Sequence, residues 1–422
     1  MKSRKRITAL TTAGIAVAAA AVAAATITGP AAARTDRKAA TTIRIWTDSD
    51  RATAVNKVAG AWAKSRGVSV DVVTKPFGNI RDDLKTVKSE NAPDVIVAAA
   101  DWTGELAADG SVLPLFPKKS VLKAIPAYAR NALSYGTSST KLYGMPTTLE
   151  NIGLFVNTKL AHVPKNWADL EKQALAFKKK GGGRVAIDVQ QGSGFDAYHM
   201  YPFFSGLCGY VFARSKGGVL NPKGLGIANV RFLKNAPLID KWNKEGLINA
   251  KISSSDSTQL FTSQKAAFWV TGPWNIDTVR KAGIKFRIVQ IPKIKCKSVP
   301  FLGVNGFMVT KFANSHGVAS AAKDLVGSYM AGANAQVDLA TANGRSPANA
   351  VAIKKVKDAA LKQIGLAGAG GVPVPNIPQM ASVWTDLGQA WFKSTQGAGA
   401  TPARQSFATA ARNIRNKIAS GG

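Results

Sequence analysis

TIRIWTDSDRATAVNKVAGAWAKSRGVSVDVV, residues Thr42 to Val73, is the stretch on which the fold turns. Thr42 to Thr47 alternates apolar and polar residues as a β-strand does, and Asp48-Ser49-Asp50 closes it as a turn or helix cap. Ala54 to Lys64 then carries Val55, Val58, Ala59 and Trp62 at helical spacing, and Val68 to Val73 is a second strand. Strand, helix and strand within so short a span make a βαβ unit, which implies parallel pairing. Ile80 to Val87 reads as a further helix and Pro93 to Ala99, PDVIVAA, as a fully buried strand. The repeated order predicts an open α/β sheet, whose ligands sit beyond the carboxyl ends of the strands. That rule puts Asp48, Asp50 and Arg51 on one rim with Asp101 and Trp102.

Downstream, Tyr143 to Pro146 is an extended entry, Ile152 to Val156 a strand, and Trp167 to Lys180 a helix capped by Asn166. Val185 to Val189 is expected as a strand, followed by the aromatic cluster Phe195, Tyr198, Tyr201, Phe203 and Phe204. Such clusters are usually core and sometimes stacking platforms. Helical patterns follow at Ile227 to Glu245, Ala319 to Ala331 and Ala403 to Ile418, and strands at Phe268 to Thr271 and Lys285 to Ile291. Phe301 to Thr310 reads as an apolar strand pair, Asn343 to Pro347 as a turn, and Leu366 to Gly371 as a flexible link.

The 422 residues suffice for two domains, and 46% apolar content supplies a substantial core. The first 33 residues differ from the rest. Lys2, Arg4, Lys5 and Arg6 precede an apolar run from Ile7 to Ile27, then Gly29-Pro30 and the small residues Ala31 to Ala33. That is the layout of a secretory signal peptide, with an uncleaved membrane anchor as the alternative. Residues 34–41 read as a disordered leader. The net charge is +32, of which the signal region holds +4, leaving +28 on the remainder. A charge of this size attracts polyanions or anionic lipid, although scattered lysines more commonly mean a solvated face. Cys208 and Cys296 could pair in an oxidising compartment, but spacing alone does not prove a disulfide.

Much chemistry is missing from the sequence. His162, His199 and His316 lie far apart without metal-ligand spacing. No P-loop, dinucleotide fingerprint or CxxC occurs, and Gly344-Arg345-Ser346-Pro347-Ala348 lacks the last glycine of a nucleophile elbow. The enzyme reading that survives is a glycosidase using two of Asp48, Asp50, Asp101 and Glu150. Carboxylates and aromatic rings have a simpler joint use in sugar binding. The oxygens accept hydrogen bonds from hydroxyls, while the rings cover the apolar faces of a pyranose.

Near the end of the chain, VPVPNIPQMASVWTDLGQAW runs from Val372 to Trp391. Its three prolines forbid helix from Val372 to Pro378, and Met380, Trp384, Leu387 and Trp391 then recur at helical spacing. Both tryptophans could be core, or Trp384 could project into a cleft. PNIPQM followed by a helix-borne tryptophan, and Gly272-Pro273-Trp274 a hundred residues earlier, resemble the maltose/maltodextrin-binding protein family. These are the extracellular or periplasmic receptors of sugar importers.

That resemblance implies a two-lobed periplasmic-binding-protein-like α/β fold, each lobe a mostly parallel sheet flanked by helices. It implies lobes of residues 42–148 with 300–345 and residues 149–299 with 346–422, joined by crossing strands. It implies a ligand site of Asp48, Asp50, Arg51, Asp101, Trp102, Glu150, Trp274 and Trp384, with helix capping the competing role for Asp48. Trp274 and Trp384 would stack on sugar rings, and Glu150 would stand where the chain crosses between lobes. The family's ring at Ala98 is absent, with Trp102 a substitute, and its arginine falls on Gly388. The family's Glu and Tyr near the aromatic cluster do not align cleanly; Phe195 and Tyr198 are the candidates there, read as core ahead of site. The expected function is capture of maltose, maltodextrin or a related oligosaccharide by hinge closure and delivery to the permease of an ABC importer. The chain would be a secreted or cell-envelope monomer without catalysis, metal, cofactor or specific nucleic-acid partner. A secreted glycosidase and a cationic binder of acidic polymers are the alternatives.

Overall fold

The computed structural model describes residues 41–136, 139–215, 219–342 and 344–421. The expected signal peptide (1–33) and nearly all of the leader (34–41) lie outside them. Among the described residues no helix is long and apolar enough to cross a membrane.

The opening βαβ unit forms as its pattern requires. Strand Thr42–Thr47 pairs in parallel with Ser69–Thr74 and with Val95–Ala99. The intervening helix, Ser49–Arg66, starts earlier than the apolar spacing suggests, because Asp48 caps it and Gly67, at φ 65°, ends it. Val55, Val58, Ala59 and Trp62 form its buried face. The chain then reaches the crossing strand Gly144–Glu150, turns through Asn151 and Ile152, and enters a second sheet as strand Gly153–Asn157.

Two sheets carry two separate cores. The first has seven strands in the order Ser346–Pro347, Gly144–Glu150, Phe301–Val309, Val95–Ala99, Thr42–Thr47, Ser69–Thr74, with Val372–Pro373 attached to Phe301–Val309. The second has four: Phe286–Val289, Gly153–Asn157, Phe268–Thr271 and Asp188–Val189. One core gathers Ile43 through Met145 and Val304 through Leu339, and another gathers Ile152 through Ile291 with Met380 through Ile414. A smaller cluster around Phe155 and Trp269 lies beneath the helix Ala359–Ala367. The two-lobed α/β architecture therefore stands. Within it the sheets are mixed rather than mostly parallel, because the strands that cross between lobes enter their sheets antiparallel.

Phe301 to Thr310 is a single strand, Phe301–Val309, not a pair. It spans both lobes: Phe301 stacks on Tyr201 at 3.5 Å in the second, and Phe307 is core in the first. The pattern from Ile227 to Glu245 divides into helices Val230–Asn235 and Pro237–Glu245, because Pro237 cannot continue the first. Ala319 to Ala331 is α-helical only to Asp324 and continues as a π turn, Leu325–Tyr329. Helix Ala359–Ala367 takes in the start of the expected flexible link. Only Asp188–Val189 pairs in the strand expected from Val185.

The proline strut adds a non-covalent bridge between the lobes. Val372–Pro373 pairs with Phe301–Leu302, and Asn376 then points its amide nitrogen at the carbonyls of Asn131 (2.9 Å) and Ser134 (2.9 Å) in the first lobe. Gly104 must lack a side chain there, since a Cβ would sit 2.4 Å from the Asn376 carbonyl oxygen. Helix Trp384–Thr395 follows, with Trp391 fully buried and Trp384 half-buried at the cleft. In the second lobe Cys208 and Cys296 are bonded, with Cα atoms 5.3 Å apart across a sequence separation of 88. Closing a loop of that length stabilises the fold by up to about 4–5 kcal/mol on entropic grounds.

Candidate functional site

A cleft of about 1050 Å³ opens between the two sheets, and all eight residues expected at the site line it. The first lobe supplies the charged wall. Asp48 is 6% exposed and both its oxygens are engaged. Oδ1 accepts from the Arg51 backbone N–H at 3.2 Å, and Oδ2 is ion-paired with the Arg51 guanidinium. The helix-cap role of Asp48 is thus realised. Asp50 is exposed in the first turn of the same helix, at the rim.

Arg51 and Glu150 belong to a buried charge network. Arg51 Nη2 lies 4.0 Å from Glu150 Oε2, and its guanidinium sits 4.9 Å from the centroid of the Phe77 ring. Arg345 Nε donates to Glu150 Oε2 at 2.6 Å. Burial pushes the Glu150 carboxyl upward, but the Arg345 and Arg51 guanidiniums outweigh it and hold the group below its ordinary value. Burial, and after it the neighbouring Arg345, depress Arg51.

The second lobe supplies the aromatic wall. Trp274 lies on a 3₁₀ turn, Pro273–Asn275, and its ring folds back over Gly272, where any Cβ would meet it at 2.2 Å. The Arg345 guanidinium sits 5.5 Å from the Trp274 ring centroid. His199 packs edge-on against the same ring, its Nδ1 held 2.8 Å from Asp196 Oδ2. Trp384 Nε1–H donates to Asp101 Oδ2 at 3.0 Å across the cleft. Burial raises the Asp101 carboxyl above its usual range. Trp102 is 6% exposed and packs on Phe77 at 4.8 Å, so it presents little free ring surface. Ala98 is fully buried in its strand, away from the cleft lining.

Sequence reasoning missed Arg345, Phe77, Asp196 and His199 as cleft residues and placed Phe195 and Tyr198 in the core. The structure puts both aromatics on the cleft wall. Tyr198 Oη and His199 Nε2 are buried there without hydrogen-bond partners. Phe195 adopts φ 53°, a left-handed conformation rare for such a side chain. Its carbonyl oxygen would lie 1.7 Å from a Cβ on Gly388, so the space of the absent arginine is filled by backbone. Phe77 did carry a signal. It follows the second parallel strand, and the rim rule places that position beside those after the first and third. Arg345 carried little, since nothing local tells the counter-ion of Glu150 from other cations.

The cleft is close to neutral. Its lining includes Asp48, Asp50, Asp101, Glu150 and Asp196 against Arg51, Lys75, Arg81 and Arg345. Among the described residues no group of His, Cys, Asp and Glu could hold a metal ion. Flat rings, ionised carboxylates and guanidiniums around a roomy cleft can grip a neutral polyhydroxylated molecule.

Comparison with known proteins agrees with this geometry. The family model described as bacterial extracellular solute-binding protein matches residues 56–363. A galactooligosaccharide-binding protein of Bacillus subtilis is 28% identical over 388 residues, covering 89% of each chain. A maltodextrin-binding protein of the same organism is 27% identical over 371 residues, covering 82% of this chain and 83% of that one. The maltotriose-binding protein of Thermus thermophilus, solved with maltotriose bound, superimposes with a TM-score of 0.79 at 24% identity. It covers 89% of this chain and all of that one.

Proposed function

The chain belongs to the bacterial extracellular solute-binding protein family, and on that premise we propose that it captures a neutral oligosaccharide in the cleft between its lobes. Maltodextrins and galactooligosaccharides are the candidate classes, in line with the names of the two Bacillus relatives. The observation that carries the reading is the pairing of Trp274 and Trp384 on one wall with Arg51, Asp101, Glu150 and Arg345 on the other. The volume stands at the top of the range for small-molecule sites, about 300–1000 Å³, which suits more than one sugar ring. The eight expected residues fall into distinct roles. Trp274 and Trp384 stack on rings, Asp101 and Glu150 accept from hydroxyls, and Arg51 donates while Asp48 fixes its orientation. Asp50 meets ligand at the mouth, and Trp102 braces Phe77.

Binding proceeds without catalysis in this reading. Glu150 is held ionised by two guanidiniums and Asp48 is tied to Arg51, an arrangement suited to accepting hydrogen bonds rather than transferring protons. Family membership favours this over a glycosidase or a cationic polymer binder. The lobes are residues 42–148 with 300–345 and residues 149–299 with 346–422, except that Ser346–Lys355 packs with the first lobe, its short strand pairing with Gly144–Glu150. Closure bends the crossings at Glu150–Ile152 and Pro300–Leu302 and the one at Val356–Asp358, between helix Ala350–Lys355 of the first lobe and helix Ala359–Ala367 of the second. The closed monomer then presents the sugar to the permease of an ABC importer.

Isothermal titration calorimetry with maltotriose, a galactooligosaccharide and free glucose tests the proposal. Saturable binding of an oligosaccharide, stronger than that of glucose, is expected. A folded protein that binds no neutral oligosaccharide would remove the reading.

A further inference from the structure

The excess positive charge lies outside the cleft, and three long acid-free runs account for much of it. Ala197 to Ile239, Thr278 to Lys323 and Leu387 to Gly422 contain no Asp or Glu. The fold brings parts of all three together on one side of the second lobe. Arg231, at the start of helix Val230–Asn235, donates from Nη2 to Cys296 Sγ at 3.4 Å. The disulfide and two backbone bonds, from the N–H groups of Lys295 and Cys296 to the Gly206 carbonyl, fix the loop bearing Lys293, Lys295 and Lys297. Arg404, from helix Ala403–Ala419, donates to the Leu233 carbonyl at 2.9 Å, and Phe407 packs on Phe232 at 4.7 Å.

Lys223, Arg231, Lys234, Lys293, Lys295, Lys297 and Arg404 are all exposed, and among the described residues none of the seven makes an ion pair. The nearby Asp240 is occupied by the Ala403 N–H at 2.8 Å. A solvated surface normally mixes both signs, and this one does not. Two apolar side chains stand among the cations: Val230 is 85% exposed and Tyr210 is 40% exposed.

We propose that this face is a docking surface for an anionic lipid bilayer. The cations meet headgroup phosphates, and Val230 and Tyr210 enter the interfacial layer. Long-range attraction to a negative membrane surface sums over the basic groups and fades within a Debye length. Valine and tyrosine at the contact favour a bilayer over a soluble polyanion, because only a bilayer offers an apolar layer to receive them. Docking there holds the receptor at the membrane, independently of whether its cleft is filled.

Vesicle co-sedimentation of the full chain tests this, read as the ratio of binding to phosphatidylglycerol-containing vesicles over phosphatidylcholine vesicles at about 0.15 M salt. The ratio cancels apolar insertion of the N-terminal run, and the four cations before that run are common to every variant, so differences between variants report the face. Arg231→Glu with Lys295→Glu and Lys297→Glu should lower the ratio by at least about a hundredfold, since each reversal removes an attraction and adds a repulsion. Lys223→Glu with Lys234→Glu and Lys293→Glu should do the same without touching the disulfide loop contact to Arg231. The control, Lys118→Glu with Lys119→Glu and Lys123→Glu on the first lobe, should leave it nearly unchanged, with circular dichroism confirming the fold throughout. Val230→Ser should weaken vesicle binding but not binding of soluble polyphosphate. Equal losses in the face variants and the control would reduce the effect to net charge and overturn the proposal. So would unaltered binding in both face variants, or polyphosphate binding as tightly as vesicles with Val230→Ser silent.

Discussion

Replacing Glu150 by Gln removes one negative charge from a buried set, Asp48, Arg51, Glu150 and Arg345, whose formal charges otherwise cancel. The Glu150 side chain is 12% exposed, and it touches Arg345 at 2.6 Å and Arg51 at 4.0 Å. At an effective dielectric of about 20, a charge pair 4 Å apart is worth roughly 4 kcal/mol. Breaking a buried ion pair from one side typically costs about 3–5 kcal/mol, because the partner keeps its desolvation penalty. Here two guanidiniums lose their shared carboxylate and face one another, so Glu150→Gln is expected to cost about 3–5 kcal/mol in urea unfolding. Arg345→Gln alone should also destabilise. In the double variant Asp48 still neutralises Arg51, so the double should recover about 1–3 kcal/mol relative to the summed singles.

The pH dependence follows with its sign. The folded Glu150 carboxyl sits below its unfolded value, so its stabilisation is complete above the unfolded value of about 4.3. It fades as pH falls through the lower folded value, and wild type and Glu150→Gln should converge in acid. A cost under about 1 kcal/mol at neutral pH, or strictly additive singles, would refute the network.

Two further outcomes are expected. Asp188 is fully buried with the Ser257 hydroxyl as its hydrogen-bond partner (2.8 Å), and burial raises its carboxyl well above the usual range. Its stabilising protonated form is complete below the unfolded value of about 3.9 and is lost as pH rises toward the folded value. Asp188→Asn should therefore match wild type near pH 4 and gain about 1.4 kcal/mol per pH unit above it, levelling off once the folded value is passed, by denaturant titration. Gly388→Ala should destabilise by about 1–3 kcal/mol in thermal melts and disturb the Phe195 wall, since the added Cβ collides with the Phe195 carbonyl. Gly388→Arg should be worse.

What could be read in advance follows the range of the forces involved. Strand alternation and helix spacing are local, so the opening βαβ unit and the helix capped by Asn166 were legible, down to the Asn166 oxygen accepting from the Asp169 N–H. The tryptophan question was half legible. Spacing put Trp384 and Trp391 near one face, yet Trp391 is buried under Phe407 at 5.2 Å while Trp384 reaches Asp101, 283 positions away. The missed features are contacts between distant segments. Arg345 meets Glu150 across 195 positions, and Phe195 reaches Gly388 through a left-handed backbone no propensity favours. Tyr198 reads as core because an aromatic cluster buries most of its members. Only the packed structure shows Tyr198 on the cleft wall, with its hydroxyl buried and without a partner.

The central claim is most directly tested by intrinsic tryptophan fluorescence of the purified protein titrated with maltotriose, a galactooligosaccharide and sucrose. A saturable change with at least one of the first two is predicted, lost in both Trp274→Ala and Trp384→Ala while each variant stays folded. A saturable response that survives both substitutions would place the ligand elsewhere. Silence toward every neutral oligosaccharide would contradict the receptor reading itself.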